Sequence, residues 1–225
     1  MRLSLRTKYL SQPRYDRYLI ATGSDLNRAK KLYTANIRLA QAFHPVISQF
    51  EVILRNSLNL ELTNHFADPN WIRNQKSGFM DDSSLGANKY LKRQVVSTER
   101  KLRRSRITIT SGKVISDQTL GFWVALFSVP YYRLLIGKPI HIFPSKPSVE
   151  NRSSLHQKLE KIRDFRNRVN HCEPICFRGN TINCNEANLI RQMIIDLTGW
   201  LNPNLIPFLS KLDNINSKIN NVLRV

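Results

Sequence analysis

Acidic side chains are scarce in this chain: 16 Asp and Glu stand against 35 Lys and Arg, a formal net charge of +19 over 225 residues. That imbalance says little about fold but favours a polyanionic partner, nucleic acid first and an anionic membrane surface second. The membrane alternative finds no further support. The longest apolar run, around Leu120–Tyr132, is too short to cross a bilayer and is interrupted by Pro130 and Arg133. The opening MRLSLRTKYLSQPRYDRYL lacks an uninterrupted apolar core and does not read as a secretory signal. Cysteine is sparse too. Cys172, Cys176 and Cys184 are odd in number and confined to one segment, so no disulfide framework follows and a reducing cytoplasm is expected. Internal repeats and low-complexity tracts are missing. So are a Walker loop, a dinucleotide fingerprint, a nucleophile elbow and a carboxylate cluster for paired metals.

What is present is helix. After a basic, tyrosine-rich lead-in (residues 1–22), Ser24 is the candidate N-cap of a run from Leu26 in which Leu32, Leu39, Phe43, Val46, Phe50, Ile53, Leu54 and Leu58 recur at helical spacing. Pro45 predicts a kink or a break into two helices. Asp68-Pro69 ends the run and Asn70–Asn88 reads as a loop. KYLKRQVVSTERKLRRSR is a basic helix with a lone acid, Glu99; Lys92, Arg93, Arg100, Lys101, Arg103 and Arg104 are candidate RNA contacts, against the plainer reading of a solvated face. Ile107–Ile115 reads as a small hairpin or a loop, and Ser116-Asp117 as the cap of the apolar helix QTLGFWVALF. Pro130–Pro147 is a connector. A further helix covers Glu186–Leu201, and Asn214–Val225 reads as a polar tail.

The chemistry concentrates in KIRDFRNRVNHCEPI, Lys161–Ile175, the last turns of an amphipathic helix stopped by Pro174. Leu155, Leu159, Ile162 and Val169 fall on one stripe, Phe165 lies at its edge, and Arg166 points within about 20° of its line. A guanidinium on an apolar seam needs a neutralising partner, either a carboxylate such as Glu51 or a bound phosphate. Arg166, Asn167 and His171 together can grip a phosphate and move protons beside it without a metal. His171 lies about 140° around an ideal helix from Arg166. The two converge only if the helix loosens before Pro174 or if a second copy supplies its own pair. Arg163 and Arg168 are further candidate RNA contacts. Glu51 and Arg55, four apart, read as an intrahelical ion pair or as residues that orient the site. The spacing of His171, Cys172, Cys176 and Cys184 is not a recurring zinc pattern.

RDFRNRVNHCEPI resembles the R-N-x-x-x-H signature of HEPN domains, in the form carried by Abi-like (abortive-infection) bacterial proteins. QPRYDRYL, FEVILRNSLNLEL before DPNW, TLGFWVALF and GWLNPNL resemble the same family in the same order, from about Gln12 to Leu209. Cys172 departs from it, since a second histidine is common there. The resemblance implies a single domain over residues 1–225. Its expected fold is all-α, a HEPN-like helical bundle with an additional N-terminal helical portion and at most one small hairpin. It also implies a homodimer acting as a metal-independent, cofactor-free endoribonuclease in phage defence or a toxin–antitoxin system. Arg166 and His171 match the catalytic pair and Asn167 the polar residue after the arginine. Some Abi-like proteins are held in check by a small non-coding RNA, so RNA is expected as substrate, as antitoxin, or both. The competing expectation is a non-catalytic RNA-binding module that holds a regulatory RNA. A third is an interaction protein whose basic face meets an acidic partner.

Overall fold

The longest helix sets the frame. In the structure, a computed structural model that describes residues 8–225, Leu26–Phe66 is one unbroken helix, α2, with Pro45 inside it. The proline removes one ladder hydrogen bond, but Phe43, Val46, Ile47 and Phe50 on either side are all buried, so both halves keep their apolar face covered. The predicted break does not occur. α2 is capped by Asp25, not Ser24: Asp25 Oδ1 accepts the backbone N–H groups of Asn27 (2.8 Å) and Arg28 (3.0 Å), while Ser24 occupies the turn before it at φ 65°. Those amide bonds hold the Asp25 carboxyl below its usual pKa. The first seven residues of the predicted lead-in lie outside the described part.

Among the described residues the fold is all-α apart from a two-stranded sheet. The other helices are α1 (Gln12–Ala21), α3 (Trp71–Asn74), α4 (Tyr90–Arg104), α5 (Ser111–Asp117), α6 (Leu120–Ala125), α7 (Val129–Leu134), α8 (Arg152–Asn170), α9 (Asn185–Leu201), α10 (Ile206–Leu212) and α11 (Ile215–Leu223). β1 (Phe177–Arg178) and β2 (Thr181–Ile182) pair antiparallel. The chain divides into two compact units, one comprising residues up to Ser48 with Asp164–Ile195 and Ile206–Val225, the other Gln49–Arg163 with Asp196–Leu205.

In the first unit an aromatic cluster joins α1 to α2 and to the hairpin. The Tyr18 ring meets Tyr33 at 5.2 Å and Phe177 at 5.1 Å, edge to face in both cases. Arg17 lies over the Phe177 ring, and its Nη2 donates to the Gly179 carbonyl at 2.7 Å. The hairpin turn places Gly179 at φ 59°, a left-handed conformation that glycine adopts without penalty. The sheet therefore sits in the cysteine-bearing loop and not at Ile107–Ile115, where the hairpin was one of two readings. The predicted polar tail is an amphipathic helix, α11, with Ile215, Ile219 and Val222 buried.

In the second unit the predicted loop Asn70–Asn88 contributes to the core. It contains α3 and two 3₁₀ turns, and buries Trp71, Ile72, Phe79, Met80 and Leu85. Trp71 Nε1 donates to Asn59 Oδ1 at 3.0 Å, and the Ser111 hydroxyl to Asn70 Oδ1 at 2.6 Å, tying the segment to α2 and α5. At Ile107–Ile115 the Thr110 hydroxyl accepts the Lys113 N–H (3.3 Å) and starts α5 instead of a hairpin. Asp117 ends that helix, and Thr119 takes the cap position of α6.

α8 begins on a reciprocal cap. Asn151 Oδ1 accepts the N–H groups of Ser153 (2.9 Å) and Ser154 (3.2 Å), and the Ser154 hydroxyl accepts the Asn151 N–H (2.9 Å). Replacing Asn151 by Ala removes an acceptor for two otherwise orphaned amides. The expected outcome is a loss of about 1 kcal/mol in urea unfolding, with Asn151→Asp close to wild type.

Candidate functional site

The motif occupies the last two turns of α8, and its burial departs from the ideal stripe. Leu155, Leu159, Ile162 and Val169 are buried as spaced. Phe165, expected at the edge, is 1% exposed and meets the Phe43 ring edge to face at 4.7 Å. Phe165 and Val169 thus define the seam in these turns, and Arg166 lies about 60–100° off it. Arg166 is half-buried, not sealed, with Nη1 3.4 Å from Oδ1 of the exposed Asn167.

The helix keeps its register through His171. The His171 N–H still donates to the Asn167 carbonyl at 2.9 Å, so His171 is the last residue held in α-helical register. The chain then reverses over Cys172 at φ 55°, with the Cys172 N–H donating to Val169 O (3.1 Å) and the Glu173 N–H to Arg168 O (2.9 Å). That pair of bonds is the Schellman arrangement, which glycine or asparagine ordinarily closes. The His171 side chain is exposed. With helical geometry kept to this point, His171 and Arg166 point about 140° apart and stand about 7.5 Å apart along the axis. Asn167 lies between them, bonded to Arg166 by its side chain and one turn before His171.

Two contacts lock the helix end. Arg168, a candidate RNA contact, forms a clamp in the structure: Nη1 meets Glu186 Oε2 at 2.6 Å, Nη2 donates to the Pro174 carbonyl at 2.8 Å, and Nε is 3.8 Å from Glu173 Oε2. The buried Asn36 Oδ1 accepts the Ile175 N–H at 2.9 Å and fixes the exit of the chain. Beside this end lies an open groove of about 650 Å³, lined by Ile37, Gln41 and His44 of α2 and by Asn170, Cys172 and Glu173. Sequence reasoning did not single out His44. Its only local signal was a polar residue before Pro45, inside an otherwise apolar run.

Glu51 and Arg55 belong to the second unit. Both are partly buried on α2, with Arg55 Nε 3.5 Å from Asn56 Oδ1. Arg163 is also there, 3.4 Å from Glu160. The basic face of α4 is less open than its sequence implies, because acids from other elements reach it. Asp81 binds Lys89 and Lys92, each at 2.6 Å, and these two hydrogen bonds hold its carboxyl below the usual pKa. Asp117 binds Lys101, and the buried Glu99 binds Arg73 and Lys76. Arg93, Arg100, Arg103 and Arg104 stay exposed, with no ion pair among the described residues.

Cys176 and Cys184 are buried free thiols, whereas Cys172 is exposed. Burial pushes the Cys176 thiol up to about 12 and the Cys184 thiol to about 11. No group of three or more His, Cys, Asp or Glu side chains among the described residues could hold a metal ion, and no described helix is long and apolar enough to cross a membrane.

Three outcomes follow from this geometry. Brief alkylation of the native protein at pH 8 should modify Cys172 alone by mass spectrometry, since the other two thiols ionise only near pH 11–12 and are covered. Cys172→Gly should raise stability by about 1 kcal/mol by relieving the left-handed backbone. Asn36→Leu should lower it by about 1–3 kcal/mol, because the Ile175 N–H is left buried without an acceptor. Comparison with protein-family models, with curated proteins and with solved structures finds no match to this chain.

Proposed function

We propose that this chain is a metal-independent endoribonuclease of the HEPN, Abi-like kind, working in bacterial phage defence or a toxin–antitoxin pair, and that it cleaves RNA as a homodimer. The observation that carries this reading is the helix end itself. An exposed imidazole, a half-buried guanidinium and the amide bonded to it occupy six consecutive positions of α8, on a chain of net charge +19. In the proposed reaction the RNA 2′-oxygen attacks phosphorus and the P–O5′ bond breaks. His171 takes the 2′-OH proton or donates one to the departing 5′ oxygen. Arg166 binds the scissile phosphate and stabilises the charge that grows on its non-bridging oxygens, and Asn167 orients one of those oxygens.

Because His171 and Arg166 of one copy diverge by about 140°, the pair that acts on one phosphate is drawn from two copies: two motif helices about a two-fold axis set each histidine beside the other chain's arginine. The same divergence gives weight to a second reading, in which the chain holds a regulatory RNA without cutting it.

The test is incubation with total RNA in EDTA. Wild type should yield fragments ending in 2′,3′-cyclic phosphate and 5′-OH and leave DNA intact, which lacks the 2′-OH. His171→Ala and Arg166→Ala should each lose about 10²–10⁴-fold in rate. Tight, salt-sensitive binding of RNA that stays whole would select the second reading. Cleavage that persists unchanged in His171→Ala would refute the first.

A further inference from the structure

A second basic concavity has none of the motif residues in its lining. A groove of about 770 Å³ runs between the N-terminal half of α2 and α11, lined by Lys30, Lys31, Thr34 and Arg38 from the first helix and by Lys218 and Asn221 from the second. Both helices belong to the same unit. The four cations come from segments some 180 positions apart in sequence and meet only because Ile215, Ile219 and Val222 dock α11 with its other face inward. Arg28 reinforces the docking by donating to the Val225 carbonyl at 2.8 Å.

Two features separate this groove from an ordinary solvated charge run. Its lining holds no Asp or Glu side chain, and none of Lys30, Lys31, Arg38 and Lys218 has an Asp or Glu ion-pair partner among the described residues. The acids of the neighbourhood are engaged elsewhere. Asp213 binds Arg191 Nε at 2.6 Å, and Asp25, within electrostatic reach of Lys31, caps α2. On and just before α4, by contrast, Asp81 and Asp117 pair with three lysines. Four unpaired cations in one concavity repel each other and cost stability unless an anion arrives.

The lining also lacks any aromatic side chain, so it offers no stacking platform for bases. It supplies instead long flexible cations with the amides of Asn27 and Asn221, the usual donors to phosphate oxygens.

We infer that the α2–α11 groove binds the sugar–phosphate backbone of a nucleic-acid strand without reading its bases, as a docking site separate from the motif helix. It takes RNA and DNA alike, because nothing in its lining is arranged to sense a 2′-hydroxyl or a base edge. This inference does not depend on the chain being a nuclease.

The test uses full-length protein and two labelled probes that cannot be cut: oligothymidylate with the wild-type motif, and oligouridylate in a His171→Ala background. The groove variant carries Lys30→Gln, Lys31→Gln, Arg38→Gln and Lys218→Gln. A control removes the same charge at exposed sites elsewhere (Arg14→Gln, Lys113→Gln, Arg178→Gln, Lys211→Gln). For both probes the groove variant should bind at least about tenfold more weakly at 0.1 M salt, with the slope of log K against log[salt] shallower by about 2.8, four phosphate contacts at about 0.7 each. The control should change both far less. As a readout independent of the variants, bound oligothymidylate should protect Lys30, Lys31 and Lys218 of the wild type from acetylation. Equal losses in the two variants, or no protection of these lysines, would overturn the inference and leave the groove to an acidic protein partner or to no specific partner. Absence of RNA cleavage would not touch it.

Discussion

The Glu173 N–H donates to the Arg168 carbonyl across a left-handed Cys172, and that turn decides what the motif helix can do. It keeps α8 regular through His171 and stops it one residue later. Because the register is kept, the angle between Arg166 and His171 is a consequence of helical pitch and is not available for adjustment. The Arg168 clamp on Glu186 and Pro174, with the Asn36 bond to Ile175, holds the following segment against its own unit. A local relaxation that would swing the imidazole toward the guanidinium would break several of these bonds at once. His171 is therefore presented to solvent about 140° around the helix from the half-buried Arg166, a geometry that fits the proposed site shared between copies.

How much of this is legible in the sequence depends on how local each cause is. The apolar period from Leu32 to Leu58 fixes α2 because every member but the half-buried Ile53 is buried, and it overrides Pro45, whose lost hydrogen bond is small beside that burial. Thr110 shows the reverse case. The alternation of ITITSGKVI suggests a hairpin, yet one hydroxyl accepting the Lys113 N–H makes the segment a helix start. The true hairpin has strands of two residues each, too short to carry any period, and its only signal is Gly179-Asn180 between them.

The candidate site divides in the same way. Arg166, Asn167 and His171 are recognisable from residue type and spacing. Their degree of burial is not, because Phe165 takes the seam through an aromatic contact with Phe43 that no periodicity in α8 announces. Nor was the helix stop at Cys172 legible, since cysteine is an unusual residue for a left-handed cap. Charge is the least legible. On α4 the cations look free until Asp81 and Asp117 fold onto them. At the α2–α11 groove four scattered cations become a cluster only after a stretch read as a polar tail turns out to be a packed helix. Net charge was visible from composition, but its placement is a tertiary fact.

The most direct test of the shared-site geometry is complementation between two inactive chains. Arg166→Ala and His171→Ala proteins are purified separately, mixed, allowed to exchange subunits, and assayed on RNA. If each working site takes its arginine from one copy and its histidine from the other, a mixed dimer keeps one intact site and the mixture recovers about a quarter of wild-type activity. A mixture no more active than its parents, with subunit exchange demonstrated, would contradict the account.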